Sequence, residues 1–238
     1  DGYKLESLER LLPHPARKKA NVTVRDVQSL ARYLEQHGGP NTAIFYDGLD
    51  NPGLQFTAVL DYHSPNEATA EGVANWREHT VRYAPKMSVQ WRYWLEGNGD
   101  WMAQEDFAER LQDHTEDVTE PRGAQLVEIA RELIAKKSFD FRSALNLKDG
   151  TVQFSYVENM ETAGGEKGQI EVPSRFTLAL PLHEGGARYA LDCRLRYKIH
   201  ERRLTFRYDL LKVDELIRHV NGELAAAVEQ ATKLEAFV

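Results

Sequence analysis

The sequence predicts an α+β fold. An antiparallel β-meander spans about residues 138–211, a long C-terminal helix covers it, and the N-terminal half mixes helices and strands. Three observations carry that prediction. Apolar and polar residues alternate from Phe139 to Tyr156, from Phe176 to Ile199 and from Leu204 to Leu210, which is the period of a strand buried on one face. Reversal signals fall within and between these runs, at Asp149-Gly150, Gly185-Gly186 and Glu201-Arg202. After them, Leu216, Ile217, Val220, Leu224, Val228, Ala231 and Leu234 recur at helical spacing over residues 213–234, giving an apolar stripe suited to closing the meander.

The turns set an expected register. Asp-Gly suits a type I′ hairpin, which needs positive φ at both central residues. A two-residue loop there places Leu147 opposite Val152, Leu145 opposite Phe154 and Ser143 opposite Tyr156. Gly185-Gly186 similarly pairs Leu182 with Tyr189, Leu180 with Leu191, Leu178 with Cys193 and Phe176 with Leu195. Glu201-Arg202 pairs Ile199 with Leu204, Tyr197 with Phe206 and Leu195 with Tyr208. Glu-Arg is a poor type I′ pair, so a longer or bulged loop is the alternative there. In all three hairpins the apolar residues share a face, so that face is buried.

The remaining elements follow in order. Leu5, Leu8, Leu11 and Leu12 make a short amphipathic turn, stopped by Pro13 and Pro15 and followed by Arg17-Lys18-Lys19. Residues 1–22 therefore read as an N-terminal arm, packed either on its own domain or on a neighbouring subunit. Thr23 is placed as the cap of a helix carrying Val27, Leu30, Ala31 and Leu34, ended by Gly38-Gly39. Strands are expected at Ala43 to Tyr46, Leu54 to Tyr62 and Val73 to Tyr83. Ser88 caps a helix bearing Trp91, Trp94 and Leu95, and a further helix runs from Gln104 to Gln112. Pro121 opens the next helix, with Leu126, Ile129, Ala130, Leu133 and Ile134 on one face. Residues 160–169 are rich in glycine and read as a loop. The polar break at 113–121 divides a mixed region, 23–120, from a helix–meander–helix region, 121–238, unless the two are one continuous domain.

Composition is that of a soluble globular chain of 238 residues, 42% hydrophobic and 28% charged, with net charge −7. Such a balance disfavours nucleic-acid binding by the whole surface but leaves a local basic patch open. The single cysteine, Cys193, forms no intrachain disulfide and fits a reducing compartment. No apolar run reaches the roughly 18 residues that span a bilayer.

No catalytic constellation stands out, and no cofactor motif. Gly164-Gly165-Glu166-Lys167-Gly168 lacks the Lys-Ser/Thr pair of a phosphate loop. Asp61, His63 and His79 are weak candidates for a divalent metal, because Asp61 and His63 share a strand face with a histidine on the next strand. The outward face of the meander carries Arg188, Arg194, Arg196, Lys198, Arg203 and Arg207. Arg196 falls opposite Arg207, an unfavourable pairing unless counter-charged. That face is either a solvated surface with Asp192 and Asp209 as counter-ions or a docking surface for nucleic acid or another acidic partner. Leu5, Leu8, Leu12, Trp91, Trp94 and Trp101 are candidates for an interface between copies of the chain.

Several stretches resemble a known family. These are LESLERLLPHPARKKANVTVRD (Leu5 to Asp26), FTAVLDYH (Phe56 to His63), WREHTVRY (Trp76 to Tyr83), QEDFAERL (Gln104 to Leu111), FRSALNLKDGTVQFSY (Phe141 to Tyr156) and VPSRFTLALPLHEGG (Val172 to Gly186). Together they are similar to the YfdQ-like family, which is encoded in phages and prophages of bacteria. The resemblance covers nearly the whole chain. It implies a prophage origin, a bacterial cytoplasmic setting and a segment preceding Asp1, and it transfers no catalytic residue. The expectation is a non-enzymatic homo-oligomer, a ring or closed shell, without cofactor or membrane contact. The alternative is a single- or double-stranded nucleic-acid-binding accessory protein of phage replication or recombination that uses the basic face.

Overall fold

The structure, a computed structural model, describes residues 7–64, 72–135, 140–148, 150–157 and 167–238. In chain order its elements are β1 (Ala20–Val24), α1 (Val27–His37), β2 (Ala43–Tyr46), β3 (Phe56–Val59) and β4 (His79–Tyr83). Next come α2 (Val89–Glu96), β5 (Met102–Ala103), α3 (Gln104–Asp113), β6 (Val118–Glu120), α4 (Gly123–Ala135), β7 (Asp140–Asn146), β8 (Thr151–Val157) and β9 (Lys167–Pro173). The last elements are β10 (Arg175–Pro181), β11 (Arg188–His200), β12 (Arg203–Leu210), α5 (Val213–Thr232) and β13 (Ala236–Phe237). The chain is α+β, as expected, with three sheets among the described residues.

It divides into two compact units, residues 1–86 with 217–238, and residues 87–216. The division falls after Lys86 and inside α5 rather than at the polar break of 113–121.

The first unit is a five-stranded sheet in the order β1-β4-β3-β2-β13. Register sets Val22, Val81, Ala58 and Ile44 in one row across it. Alternation puts them on the face that also carries Phe56 and Tyr83. Leu30 and Leu34 of α1 and Ala225 and Val228 of α5 complete this core. Residues 217–232 of the C-terminal helix, expected on the meander, belong instead to the unit of the N-terminal sheet and close its core. Its buried Asn221 donates from Nδ2 to the carbonyls of Leu49 and Asn51, both at 2.8 Å, and so ties the 47–53 loop to the helix. The cap of α1 also differs from expectation. Asp26 accepts the Ser29 N–H at 2.7 Å, while Thr23 lies in β1, because Val22 and Val24 alternate into the core beside β4.

The second unit holds a five-stranded sheet, β5-β12-β11-β10-β6, and a three-stranded sheet, β7-β8-β9. The expected single meander is thus split in two. Ser174, between Pro173 and β10, is the corner. Its N–H donates to Gly150 O on one side, and its carbonyl accepts from Leu195 N on the other. The buried face of β10–β12 is filled from within the unit: Trp94 lies 5.5 Å from Tyr208, Phe107 stacks on Phe206 at 4.8 Å, and Phe154 of β8 meets Tyr197 edge-on at 4.8 Å. Those aromatic rings occupy the place expected for the terminal helix.

The three expected registers have three outcomes. At Glu201-Arg202 the pairs Ile199–Leu204, Tyr197–Phe206 and Leu195–Tyr208 are as expected, and both loop residues adopt positive φ. At Gly185-Gly186 the pairing is displaced by two residues, giving Leu178–Leu191 and Phe176–Cys193. A shift of two preserves the face, so Leu178, Leu180, Leu191 and Cys193 remain buried. In the first hairpin the shift is one. Phe154 pairs with Ala144, Leu145 pairs with Gln153, and Leu145 turns outward, 60% exposed. An irregularity between Phe141 and Ser143 restores the phase, and Phe141 is buried. Asp149 lies outside the described residues.

β9 occupies part of what reads as a loop in the sequence. Gly168 sits opposite Tyr156, and a Cβ there would collide with the Tyr156 phenol. The glycine that obscures the strand in the sequence is what lets the ring lie across it.

Replacing Asn221 with Ala leaves two loop carbonyls without their donor. Urea melts should show a loss of about 1–3 kcal/mol, the penalty of unsatisfied buried groups. A loss below about 0.5 kcal/mol, the range of a surface substitution, would contradict this packing of α5.

Candidate nucleic-acid interface

On β11 the inward residues Leu191, Cys193 and Leu195 are buried. Alternation then commits Asp192, Arg194, Arg196 and Lys198 to the outer face. β12 contributes Arg203 and Arg207 to that face, and register places Arg203 beside His200, and Arg207 opposite Arg196. β10 adds Arg175, opposite Arg194.

A single carboxylate relieves the like-charge pairing. Asp209 accepts from Arg207 Nε at 2.8 Å through one oxygen and from Arg196 Nε through the other. Desolvation works to raise the Asp209 pKa, but the hydrogen bonds from Arg207 and Arg196 outweigh it and hold the carboxyl below its ordinary value.

Trp101 flanks this strip just before β5, which pairs with β12. Lys198 Nζ lies 4.0 Å from its ring centroid and Arg207 Cζ 5.7 Å. Trp101 is 38% exposed. Trp101, Ser174, Arg175 and residues 194–198 line a shallow groove of about 550 Å³.

Of the six cations expected on this face, Arg188 has a structural task. Its Nη2 donates at 2.8 Å to Asp117, which is fully buried and also accepts from Trp94 Nε1 at 3.0 Å. Arg194, Arg196, Lys198 and Arg207 gather beside Trp101, and Arg203 sits at the hairpin end. Arg175 was not among the expected residues, although its outward parity on β10 was readable from Phe176, Leu178 and Leu180. The nearness of Trp101 depends on the β5–β12 pairing, which no local pattern announces.

The interface candidates separate. Trp91 and Trp94 are core residues, 1% and 0% exposed, so they present no surface to another copy. Leu8 is 63% exposed, and Leu12 is exposed as well. Leu5 lies outside the described residues.

The metal candidates are turned to other partners. Asp61 accepts the Glu78 and His79 N–H groups at 3.0 and 3.1 Å. His63 Nδ1 accepts from Asn75 N at 3.0 Å, and His79 Nε2 shares a hydrogen bond with the Tyr33 hydroxyl at 2.7 Å. Among the described residues no group of three His, Cys, Asp or Glu converges on a metal position. Burial drives the Cys193 thiol far above its ordinary pKa, with the Asp192 charge adding to the shift, so it is a poor nucleophile.

A model of the uncharacterized conserved proteins DUF2303 matches residues 1–238. The chain belongs to the DUF2303 family. Neither a curated protein nor a solved structure matches it. No described helix is long and apolar enough to cross a membrane.

Asp209→Asn removes the charge between the two arginines. Stability at neutral pH should fall by about 1 kcal/mol in denaturant melts. Because the folded pKa is depressed, the Asp209 contribution is present above pH 3.8 and is lost as the pH falls through the folded value. The variant and the parent chain should therefore converge in stability under acid conditions.

Proposed function

We propose that this protein binds single-stranded nucleic acid along the outer face of β10–β12. The setting is a bacterial phage or prophage and the host cytoplasm, as the YfdQ-like resemblance implies for this uncharacterized family. The carrying observation is Trp101 beside Lys198 and Arg207 at the margin of a cationic strip. A strand's phosphates meet cations, and an unstacked base meets the exposed ring, which is the division of labour in sequence-tolerant binders. A duplex keeps its bases stacked and gives Trp101 no partner, so the single strand is favoured. The net charge of −7 disfavours nucleic-acid binding by the surface as a whole and leaves it to a local cationic patch such as this face.

Fluorescence anisotropy with a labelled oligothymidylate of about 15 nucleotides tests the reading. Affinity should fall steeply with salt. Arg194→Glu, Arg196→Glu and Arg207→Glu together should abolish binding, and Trp101→Ala should weaken it by about 1–3 kcal/mol. Retention of the oligonucleotide by the folded triple variant would reduce the face to a solvated surface.

A second reading is self-assembly into a homo-oligomer, a ring or closed shell. Leu8, Leu11 and Leu12 favour it, as an exposed apolar cluster at one end of the chain. Light scattering should then give a multimer at micromolar concentration, and Leu8→Ser with Leu12→Ser should dissociate it. A monomeric parent chain ends this second reading.

A further inference from the structure

Residues 7–19 fold back beside α1 and the start of β4. Arg17 anchors them, pairing with Glu78 at 2.8 Å and lying 4.1 Å from the centroid of the Trp76 ring. Ala20 N–H donates to Glu78 O, which fixes where β1 begins. Between this segment and the α1–β4 surface lies a cleft of about 1010 Å³, lined wholly by the first unit. That is the size of a small-molecule site.

Its lining is cationic and aromatic together. Arg10, Arg17, Lys18 and Lys19 line it, against the Glu9 carboxylate. Lys19 is drawn toward Glu78 at 3.7 Å and Glu9 at 3.9 Å. Lys18 is exposed and has no ion-pair partner among the described residues. Tyr33 and His37 of α1 form a tilted ring pair, 4.6 Å between centroids, and His79 adjoins both. Leu12, Pro13 and Pro15 supply apolar wall.

The basic side chains Arg10, Arg17, Lys18 and Lys19 outnumber the Glu9 carboxylate in this lining. Burial lowers the pKa of His79, and the charges of His37 and Lys18 lower it further, while Asp61 opposes them. A cleft with this excess of basic side chains is suited to an anion.

We infer that this cleft binds a nucleoside monophosphate, its phosphate held by Lys18 and the neighbouring arm cations and its base against the Tyr33–His37 ring pair. Phosphate takes charge-assisted hydrogen bonds from the basic residues. The planar base takes the imidazole and phenol faces and the proline wall, which a sugar phosphate would leave unused. The site shares no residue with the basic face of the second unit and stands without it.

Isothermal titration of the full chain with adenosine monophosphate tests the inference, with adenosine, inorganic phosphate and glucose 6-phosphate as separate probes. Adenosine monophosphate should bind, and each of the other three should bind about tenfold more weakly or not at all. Lys18→Glu and His37→Ala lie at exposed positions and should each weaken the nucleotide about tenfold with unchanged thermal melting. Arg194→Glu should leave nucleotide binding unchanged. No heat with adenosine monophosphate overturns the site, as does binding indifferent to Lys18→Glu. Equal affinity for glucose 6-phosphate overturns the assignment of a base. Loss of nucleotide binding in Arg194→Glu would transfer the ligand to the sheet face and end this inference while leaving the single-strand reading standing.

Discussion

A strand must send alternate side chains to opposite faces, and on β11 this constraint governs everything nearby. Leu191, Cys193 and Leu195 are buried on the face they share with Phe176 of β10 and Tyr208 of β12, whose rings meet Trp94, and this leaves Arg194, Arg196 and Lys198 no direction but outward. The pairing with β12 then brings Arg207 opposite Arg196. The basic face is thus a consequence of the core behind it. Neither arginine can leave that face without a one-residue slip, which would drive charges into the aromatic layer.

Two carboxylates make this density of arginine tolerable, in different ways. Asp209 is partly open to water and bridges Arg196 and Arg207 with its two oxygens. Asp117 is fully buried; His114, Trp94 and Arg188 all direct nitrogen atoms at it. A buried charge needs such a complete set of partners, because the desolvation of an unpaired carboxylate is severe. Arg188 therefore belongs to the scaffold of β11, whereas Arg194, Arg196 and Lys198 farther along the strand line the groove beside Trp101.

Each unit closes its own core and presents its own cationic surface. In the first, α1 and α5 cover one side of a sheet whose strands β1 and β4 run parallel. In the second, two sheets and the helices α2 and α3 enclose the aromatic residues. Family membership adds no chemistry to either surface, so the functional reading rests on the side chains themselves. A net charge of −7 makes both cationic surfaces local features against an acidic background.

The sequence by itself determined the α+β class, the buried faces of β8, β10, β11 and β12, and the outward placement of Arg194, Arg196, Lys198 and Arg207. All of these follow from local period, and a period of two survives even a two-residue error in loop length, as at Gly185-Gly186. It does not survive a one-residue error, which is why Leu145 faces water although Phe141, beyond the irregularity in the same strand, is buried. Tertiary structure alone decided where α5 packs, because an amphipathic stripe says that a helix covers something and not which sheet it covers. It also decided that Trp91 and Trp94 are interior, that Trp101 joins the basic strip, and that residues 7–19 wall a cleft over His37 and His79. Those outcomes depend on contacts between residues far apart in the chain, and no short-range spacing records them.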